Sequence, residues 1–360
     1  MRSFQCTCGN TVYFENSQCV VCQRALGFLP GRQVMSAIEP NADGTHRALA
    51  DGMNYRQCQH YAKENVCNWM VAPDDPNAYC QACRLNQMIP NLSEPRNRVL
   101  WMRIERAKRR LLYTLYSLGL PVIGRDADPV NGLAFEFLAD MTDGSEFTDI
   151  SGAQRVLTGH RGGLITINIE EADPSSRESV REQMGEQYRT LLGHFRHEVA
   201  HLYWDRLVRG AHWHEPFREL FGDERTDYDV ALSAYYAQGA RADWQESFVS
   251  AYATAHPWED WAETWAHYLH MVDTLDTAHD FGFALQGAAV RAPEAAFAHA
   301  AAQTTRVGFD ELLADWVRLT LALNALNRSM GLRDAYPFAH SPHTVEKLRF
   351  VHRVIMGVAA

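Results

Sequence analysis

Cysteine is absent after residue 83; all eight cysteines lie between Cys6 and Cys83. Long apolar runs are also missing. None approaches the roughly 20 residues that span a bilayer, so no membrane role is expected. Positive charge is scarce, with 34 Lys and Arg against 44 Asp and Glu, a net of −10. That balance argues against non-specific nucleic-acid binding by the whole chain. The opening "MRSFQCTCGN" has no apolar h-region, so no secretory signal is expected and the cytoplasm is the expected location. There are no internal repeats and no low-complexity tract. The 360 residues are 46% hydrophobic and 22% charged, which suits a globular chain of two domains or one large domain with an appendage.

In a reducing compartment, eight clustered thiols read as metal ligands rather than disulfides. Residues 1–92 are rich in Cys, Asn, Gln, Gly and Pro and cannot build a large core without staples. Cys6-x-Cys8 and Cys19-x-x-Cys22 are two short hooks of the kind a tetrahedral Zn²⁺ takes from a small ribbon. Gly9 suits the tight turn behind the first hook. Cys58, Cys67 and Cys80-x-x-Cys83 form a second, less regular set, in which His60 is an alternative ligand. Such Cys₄ sites are closed, so they support folding or docking rather than chemistry.

After "IPNLSEP" (89–95) the texture changes. "RNRVLWMRIERAKRRLLYTLYSLGLP" (96–121) has helical spacing and is stopped by Gly119 and Pro121. Its seven Lys and Arg against one Glu read as a solvated basic face. "GLAFEFLAD" (132–140) and "GGLITINIEEAD" (162–173) read as strands. Asp173 is the expected N-cap of a helix opening at Pro174 and running toward Gly210, with a break at Gly185 or Gly193. Further helices are expected over 215–221, 226–237, 241–253, 258–276, 289–303, 308–329 and 342–357. The fold class is α+β: a cysteine-rich module over 1–92, then a mostly helical domain with a small sheet over 96–360.

"RHEVAHLYWD" (196–205) places His197 and His201 four apart, on one helical face. Glu198 sits beside them. This is the HExxH arrangement, in which two His bind Zn²⁺ and the Glu is the general base. A catalytic zinc needs a third protein ligand and an open position. In the HExxHxxGxxH continuation, Gly would fall at Trp204 and His at Leu207, so that class is excluded. The other class takes a Glu from a later helix. In "YATAHPWEDWAETWAHYLH" (252–270), Glu259 and Glu263 lie four apart among Trp258, Trp261, Trp265 and Tyr268. Two carboxylates on so aromatic a helix are costly to bury without a partner, and a zinc ion with its histidines would be one. His212 and His214 read as surface or core histidines more readily than as a loop metal site. His256, His267 and His270 lie on or near the glutamate helix, and His267, four residues after Glu263, suits a supporting place behind the ligands and a packing role equally.

"VCNWMV", "YCQACRLNQMIPNL", "AKRRLLYTLYSLGLP", "RHEVAHLYWDRLV", "FRELFGDERTDYDVAL" and "EDWAETWAHYLH" together resemble a bacterial family of zinc-binding metallopeptidases with an N-terminal zinc ribbon. "EDWAE" (259–263) is also similar to the E-x-x-A-E of a gluzincin, the catalytic domain of anthrax lethal factor. The resemblance implies a zincin-like fold, Glu259 as third zinc ligand, Glu263 supporting a ligand from behind, and Tyr252 aimed at the substrate oxyanion. Two four-cysteine sets together with the HExxH and Glu259 set predict one catalytic and two structural zinc ions.

The expected activity is hydrolysis of a peptide or protein substrate, with Glu198 as base. The strand "LITINI" (164–169) precedes the motif helix, as a zincin's edge strand does, and is expected to pair with extended substrate. One alternative is a non-catalytic zinc-ribbon adaptor, which the complete H-E-H-E set disfavours. Another is a zincin directed to nucleic acid. Residues 1–95 carry seven Lys and Arg against eight Asp and Glu, which is poor for phosphate contact. Docking on the catalytic domain or a protein partner suits the ribbons better.

Overall fold

A computed structural model describes residues 2–140, 156, 158–183, 186–285, 288–291 and 308–358. The chain divides into two compact units, Met1–Tyr113 with Ile123–Val180, and Thr114–Val122 with Arg181–Ala360.

The first unit opens with the hairpin β1 (Ser3–Gln5) and β2 (Thr11–Tyr13). An antiparallel meander follows in sequence order: β3 (Ala25–Leu29), β4 (Val34–Pro40), β5 (His46–Ala48), β6 (Asn54–Gln57), then the short helix α1 (Gln59–Ala62) and β7 (Met70–Val71). Phe14, Phe28 and Trp69 are fully buried and meet edge-on or tilted, with Phe14 also against Tyr113. Aromatic rings do here what a longer apolar core would do in a larger domain. β8 (Asn86–Met88) precedes the long helix α2 (Pro95–Ser117).

α2 bears out the expected solvated basic face in part, with Arg96, Arg98, Arg103 and Arg106 exposed, and departs from it at two residues. Lys108 and Arg109 are buried, and so is Glu105. Glu105 accepts from Trp101 Nε1 at 3.1 Å, Asn86 Nδ2 at 2.6 Å and Lys108 Nζ at 3.0 Å. Arg109 donates to the Val66 carbonyl at 2.7 Å. Arg96, Arg98 and Arg110 pair with Glu170, Glu64 and Glu15. The partners lie up to 95 positions away, so the charge pattern along the helix could not reveal them.

After α2 come β9 (Ala134–Leu138), β10 (Gly159–Arg161) and β11 (Leu164–Asn168). Their sheet has the order β10-β11-β9-β8, with β11 antiparallel to β10 and parallel to β9. β11 is thus paired on both sides, and the expected edge strand for substrate is not an edge. Among the described residues the three-residue β10 takes that place. Asp173 caps α3 (Pro174–Gln183), accepting from Ser175 N at 2.9 Å.

The second unit is helical around α4 (Leu191–Tyr203), which a π-helical turn, Trp204–Val208, prolongs. Gly193 does not break α4. It sits in the first turn and donates to the N-cap Thr190 Oγ1 at 3.0 Å. Gly185 lies outside the described residues. α5 (His214–Phe221) and α6 (Tyr228–Gln238) follow. The expected helix over 241–253 is two short 3₁₀ turns, Trp244–Glu246 and Tyr252–Thr254. α7 (Pro257–Asp280) is the hub and packs on α4, α5, α8 (Phe309–Ser329) and α9 (Pro342–Val358). The helix expected over 289–303 falls mostly outside the described residues.

α7 buries Trp261, Trp265 and Tyr268 at no measurable exposure. Trp265 stacks on Tyr203 of α4 at 5.1 Å, and Trp261 Nε1 donates to the Ala200 carbonyl at 2.9 Å. Asp260, fully buried, meets Lys347 of α9 at 2.6 Å, and Lys347 also donates to the Ser247 carbonyl at 2.7 Å. Burial still pushes the Asp260 carboxyl up to about 7, against the pull of Lys347. Removing one member of such a pair strands a buried charge. Lys347→Met should therefore cost about 3–5 kcal/mol, whereas Lys347→Met with Asp260→Leu should recover most of it. Urea midpoints of the three proteins check this.

Candidate metal centres

Three groups of side chains have ligand atoms within 4.8 Å of one another among the described residues: Cys6, Cys8, Cys19 and Cys22; Cys58, Cys67, Cys80 and Cys83; and His197, His201 and Glu259.

The first cysteine group is built from two turns. Gly9 at φ +85° closes the first, with its N–H on the Cys6 carbonyl at 2.8 Å. Cys6 and Cys22 sulfurs are 3.7 Å apart, as are those of Cys8 and Cys19. A tetrahedron with Zn–S of about 2.3 Å has edges of about 3.8 Å, so the sulfurs are spaced for a zinc ion. The Cys22 and Val21 backbone N–H groups, with neighbouring thiols, hold the Cys19 thiol down at about 6. In the second group Cys67 and Cys80 sulfurs are again 3.7 Å apart, and all four cysteines are buried. The Trp69 N–H donates to Cys67 Sγ at 3.4 Å. None of the eight forms a disulfide. His60 stands outside the group, against Tyr79 at 4.6 Å and Trp101 at 4.9 Å.

The third group is assembled by α4 and α7. His197 and His201 share a face of α4 as their spacing requires. His256 caps α7 by accepting from Trp258 N at 3.0 Å, and Pro257 takes the first helical position. Glu259 therefore lies in the first turn, where the helix dipole favours a carboxylate. Its Oε2 is 2.9 Å from His197 Nε2, and its Oε1 is 3.6 Å from His201 Nε2. Glu259 is 1% exposed, and its Oε2 has no hydrogen-bond donor despite that proximity. Two imidazole nitrogens and a buried carboxylate converging on one point are what a cation's ligands look like. The donor set of two imidazoles and one carboxylate fits Zn²⁺ with a position left open.

Glu263 lies behind the site. Its Oε1 is 2.7 Å from His197 Nδ1, and its Oε2 accepts from Ser250 Oγ at 2.6 Å. A carboxylate on the far nitrogen fixes which ring nitrogen faces the metal. Burial opposes charge on His197, but the carboxylates of Glu259 and Glu263 against its two ring nitrogens push its pKa well above the usual range. Burial alone would raise the Glu259 carboxyl; His201 and His197 hold it at about 2.

Glu198 is half-buried. Tyr252 lies with its ring 5.9 Å from that of His197, and its hydroxyl has no partner among the described residues. Burial, then the charge of Glu259 and more weakly that of Glu198, raises its phenol. Sequence reasoning missed Tyr228, whose Oη donates to Glu259 Oε1 at 2.7 Å. Its signal was a lone aromatic 31 residues from the glutamate, with no spacing rule to single it out. The other histidines serve packing and hydrogen bonding. His214 Nε2 meets Glu224 at 2.9 Å, and His270 Nδ1 meets buried Arg196 at 2.8 Å. His267 Nδ1 meets Tyr336 Oη, and the His212 ring lies against Trp213 at 4.5 Å.

Residues 97–354 match a family described as "Putative zinc-binding metallo-peptidase", and residues 3–94 match a zinc-ribbon domain. An uncharacterized protein of Mycobacterium bovis and two from strains of Mycobacterium tuberculosis are each 41% identical over 361 aligned positions. Each alignment covers 100% of this chain and 96% of the relative. No solved structure matches the chain.

If the third group holds a zinc ion through Glu259, Glu259→Ala should abolish the third metal equivalent. Glu263→Ala should keep it with affinity weakened by about 10–100-fold. Zinc content across a series of chelator-buffered free-zinc levels checks both. In the same assay Cys80→Ser should lower the melting temperature, because a closed Cys₄ site couples metal to folding.

Proposed function

This chain belongs to the family described as putative zinc-binding metallo-peptidases, and on that premise we propose that it hydrolyses peptide bonds at His197, His201 and Glu259. The observation that carries the proposal is the convergence of His197 Nε2, His201 Nε2 and the buried Glu259 carboxylate beside Glu198 of the same HExxH helix. We propose three zinc ions per chain, one here and one in each cysteine group. The arrangement is of gluzincin type, with the third ligand on a later helix.

Zinc, when bound, supplies Lewis acidity toward the scissile carbonyl and acidifies water. The protein's own residues do the rest. The Glu198 carboxylate accepts a proton from the attacking water as its oxygen bonds to the carbonyl carbon. That proton then goes to the amine as the C–N bond breaks, so one residue acts as base and then as acid. Tyr252 donates from its phenol to the carbonyl oxygen as negative charge develops there. Burial and nearby carboxylates keep that phenol protonated, which a donor requires. Glu263 and Ser250 hold His197 in the tautomer that offers Nε2.

The substrate is a peptide or protein. The ribbon segment is best suited to docking, on this chain's own catalytic part or on a protein partner.

Glu198→Gln should retain the third zinc and lower turnover of a peptide library by about 10²–10⁴-fold, because an amide cannot accept the proton. Mass-spectrometric cleavage assays beside metal analysis check this. Loss of the metal in this variant would mean Glu198 is a ligand.

A further inference from the structure

We infer that Tyr228 is a positioning residue for the metal centre: its hydroxyl occupies one oxygen of Glu259, so that the carboxylate meets the metal through the other oxygen alone. The inference rests on the reading that His197, His201 and Glu259 hold zinc.

The two oxygens of Glu259 have different surroundings. Oε1 accepts from Tyr228 Oη at 2.7 Å. Oε2 is buried, finds no donor, and lies 2.9 Å from His197 Nε2. The oxygen without a donor is therefore the one against His197 Nε2, while Oε1, held by Tyr228, is 3.6 Å from His201 Nε2. The phenol is also well placed to stay where it is. Tyr228 opens α6, whose N-cap Asp227 accepts from Val230 N at 3.0 Å. One step before the cap, the Thr226 carbonyl is 3.0 Å from His256 Nε2. His256 is itself the N-cap of α7, and Glu259 stands three residues after it. The Tyr228 ring packs edge-on against His256 at 5.2 Å and Trp258 at 6.3 Å. One imidazole thus ties the start of α6 to the start of α7, and holds the phenol at a set distance from the carboxylate. α6 buries none of its own residues, and farther along it Tyr235 packs edge-on against Tyr252 at 5.6 Å.

The chemical consequence concerns the open position. A carboxylate free to chelate with both oxygens would fill a place that a hydrolytic centre needs for water and carbonyl oxygen. A donor on one oxygen opposes that. Tyr252, whose ring lies 5.9 Å from that of His197, is the phenol proposed above for the substrate carbonyl. The two phenols thus have separate tasks, one toward the ligand and one toward the reacting carbonyl.

Tyr228→Phe removes only the hydroxyl. The test exchanges the third metal for cobalt while both cysteine groups keep their zinc, and records the visible absorption. In the wild type the band should have the strength of a four-coordinate ion. In Tyr228→Phe it should weaken and shift as Glu259 adds its second oxygen, and zinc affinity by chelator competition should fall by about tenfold, as for other partners of metal ligands. Tyr228→Leu should show the same spectral change and serves if the phenylalanine variant is unstable. An unchanged cobalt spectrum in a folded variant overturns the inference, whatever the affinity does. A wild-type protein that takes up no third metal contradicts the underlying reading of the site instead.

Discussion

Burying negative charge is the constraint on which the second unit depends. Glu259 and Asp260 are at most 1% exposed, side by side at the start of one helix, and Glu263 follows a turn later. Desolvating each carboxylate costs several kcal/mol unless a positive partner repays it. Asp260 has Lys347. Glu263 has His197 Nδ1 and Ser250. Glu259 has Tyr228 on Oε1, with His201 Nε2 3.6 Å from that same oxygen, and His197 Nε2 on Oε2; the two nitrogens serve it as donors only if they are protonated. A divalent cation among these three groups satisfies all of them, with both imidazoles neutral at the metal. The carboxylates that look expensive in the sequence are the reason α4 and α7 meet where they do.

The same economy recurs in the first unit. Eight cysteines crowd a segment with too little apolar residue to hold itself, and their sulfurs sit at the edge length of a zinc tetrahedron. Lys108 and Arg109 of α2 are buried with Glu105, and burial lowers the pKa of Arg109 while the neighbouring Cys67, Glu105, Cys83 and Cys80 raise it by more. In both units, charge that cannot reach water is paired inside, and the pairing decides which helix face turns inward.

Legibility followed the range of the interaction. The i, i+4 spacing put His197 and His201 on one face, and the same rule put Glu259 and Glu263 on one helix, because both are local backbone geometry. The resemblance named Glu259 and Glu263 in their different places, and the coordinates put Glu259 beside Nε2 and Glu263 beside Nδ1. The Asp173-Pro174 helix start was local too. What could not be read was long-range. Arg109 finds the Val66 carbonyl, so its burial did not show in a helix most of whose other arginines do face solvent. β11 acquired β10 on its outer side, so it is not an edge. Gly193 is a local case: one helix ends at Gln183 and the next starts at Leu191, near the expected interruption, and Thr190 captures the Gly193 N–H as a first-turn residue. Tyr228 reaches Glu259 only through the tertiary junction at His256.

The central claim is that one metal ion joins α4 to α7 through His197, His201 and Glu259. Anomalous diffraction at the zinc edge from crystals of the full chain tests it most directly. The account predicts a peak about 2.0–2.2 Å from both Nε2 atoms and from one Glu259 oxygen, with Glu263 on the far side of His197. A peak bound by Glu263 in place of Glu259, or metal at the cysteine groups and none between the histidines, would contradict it.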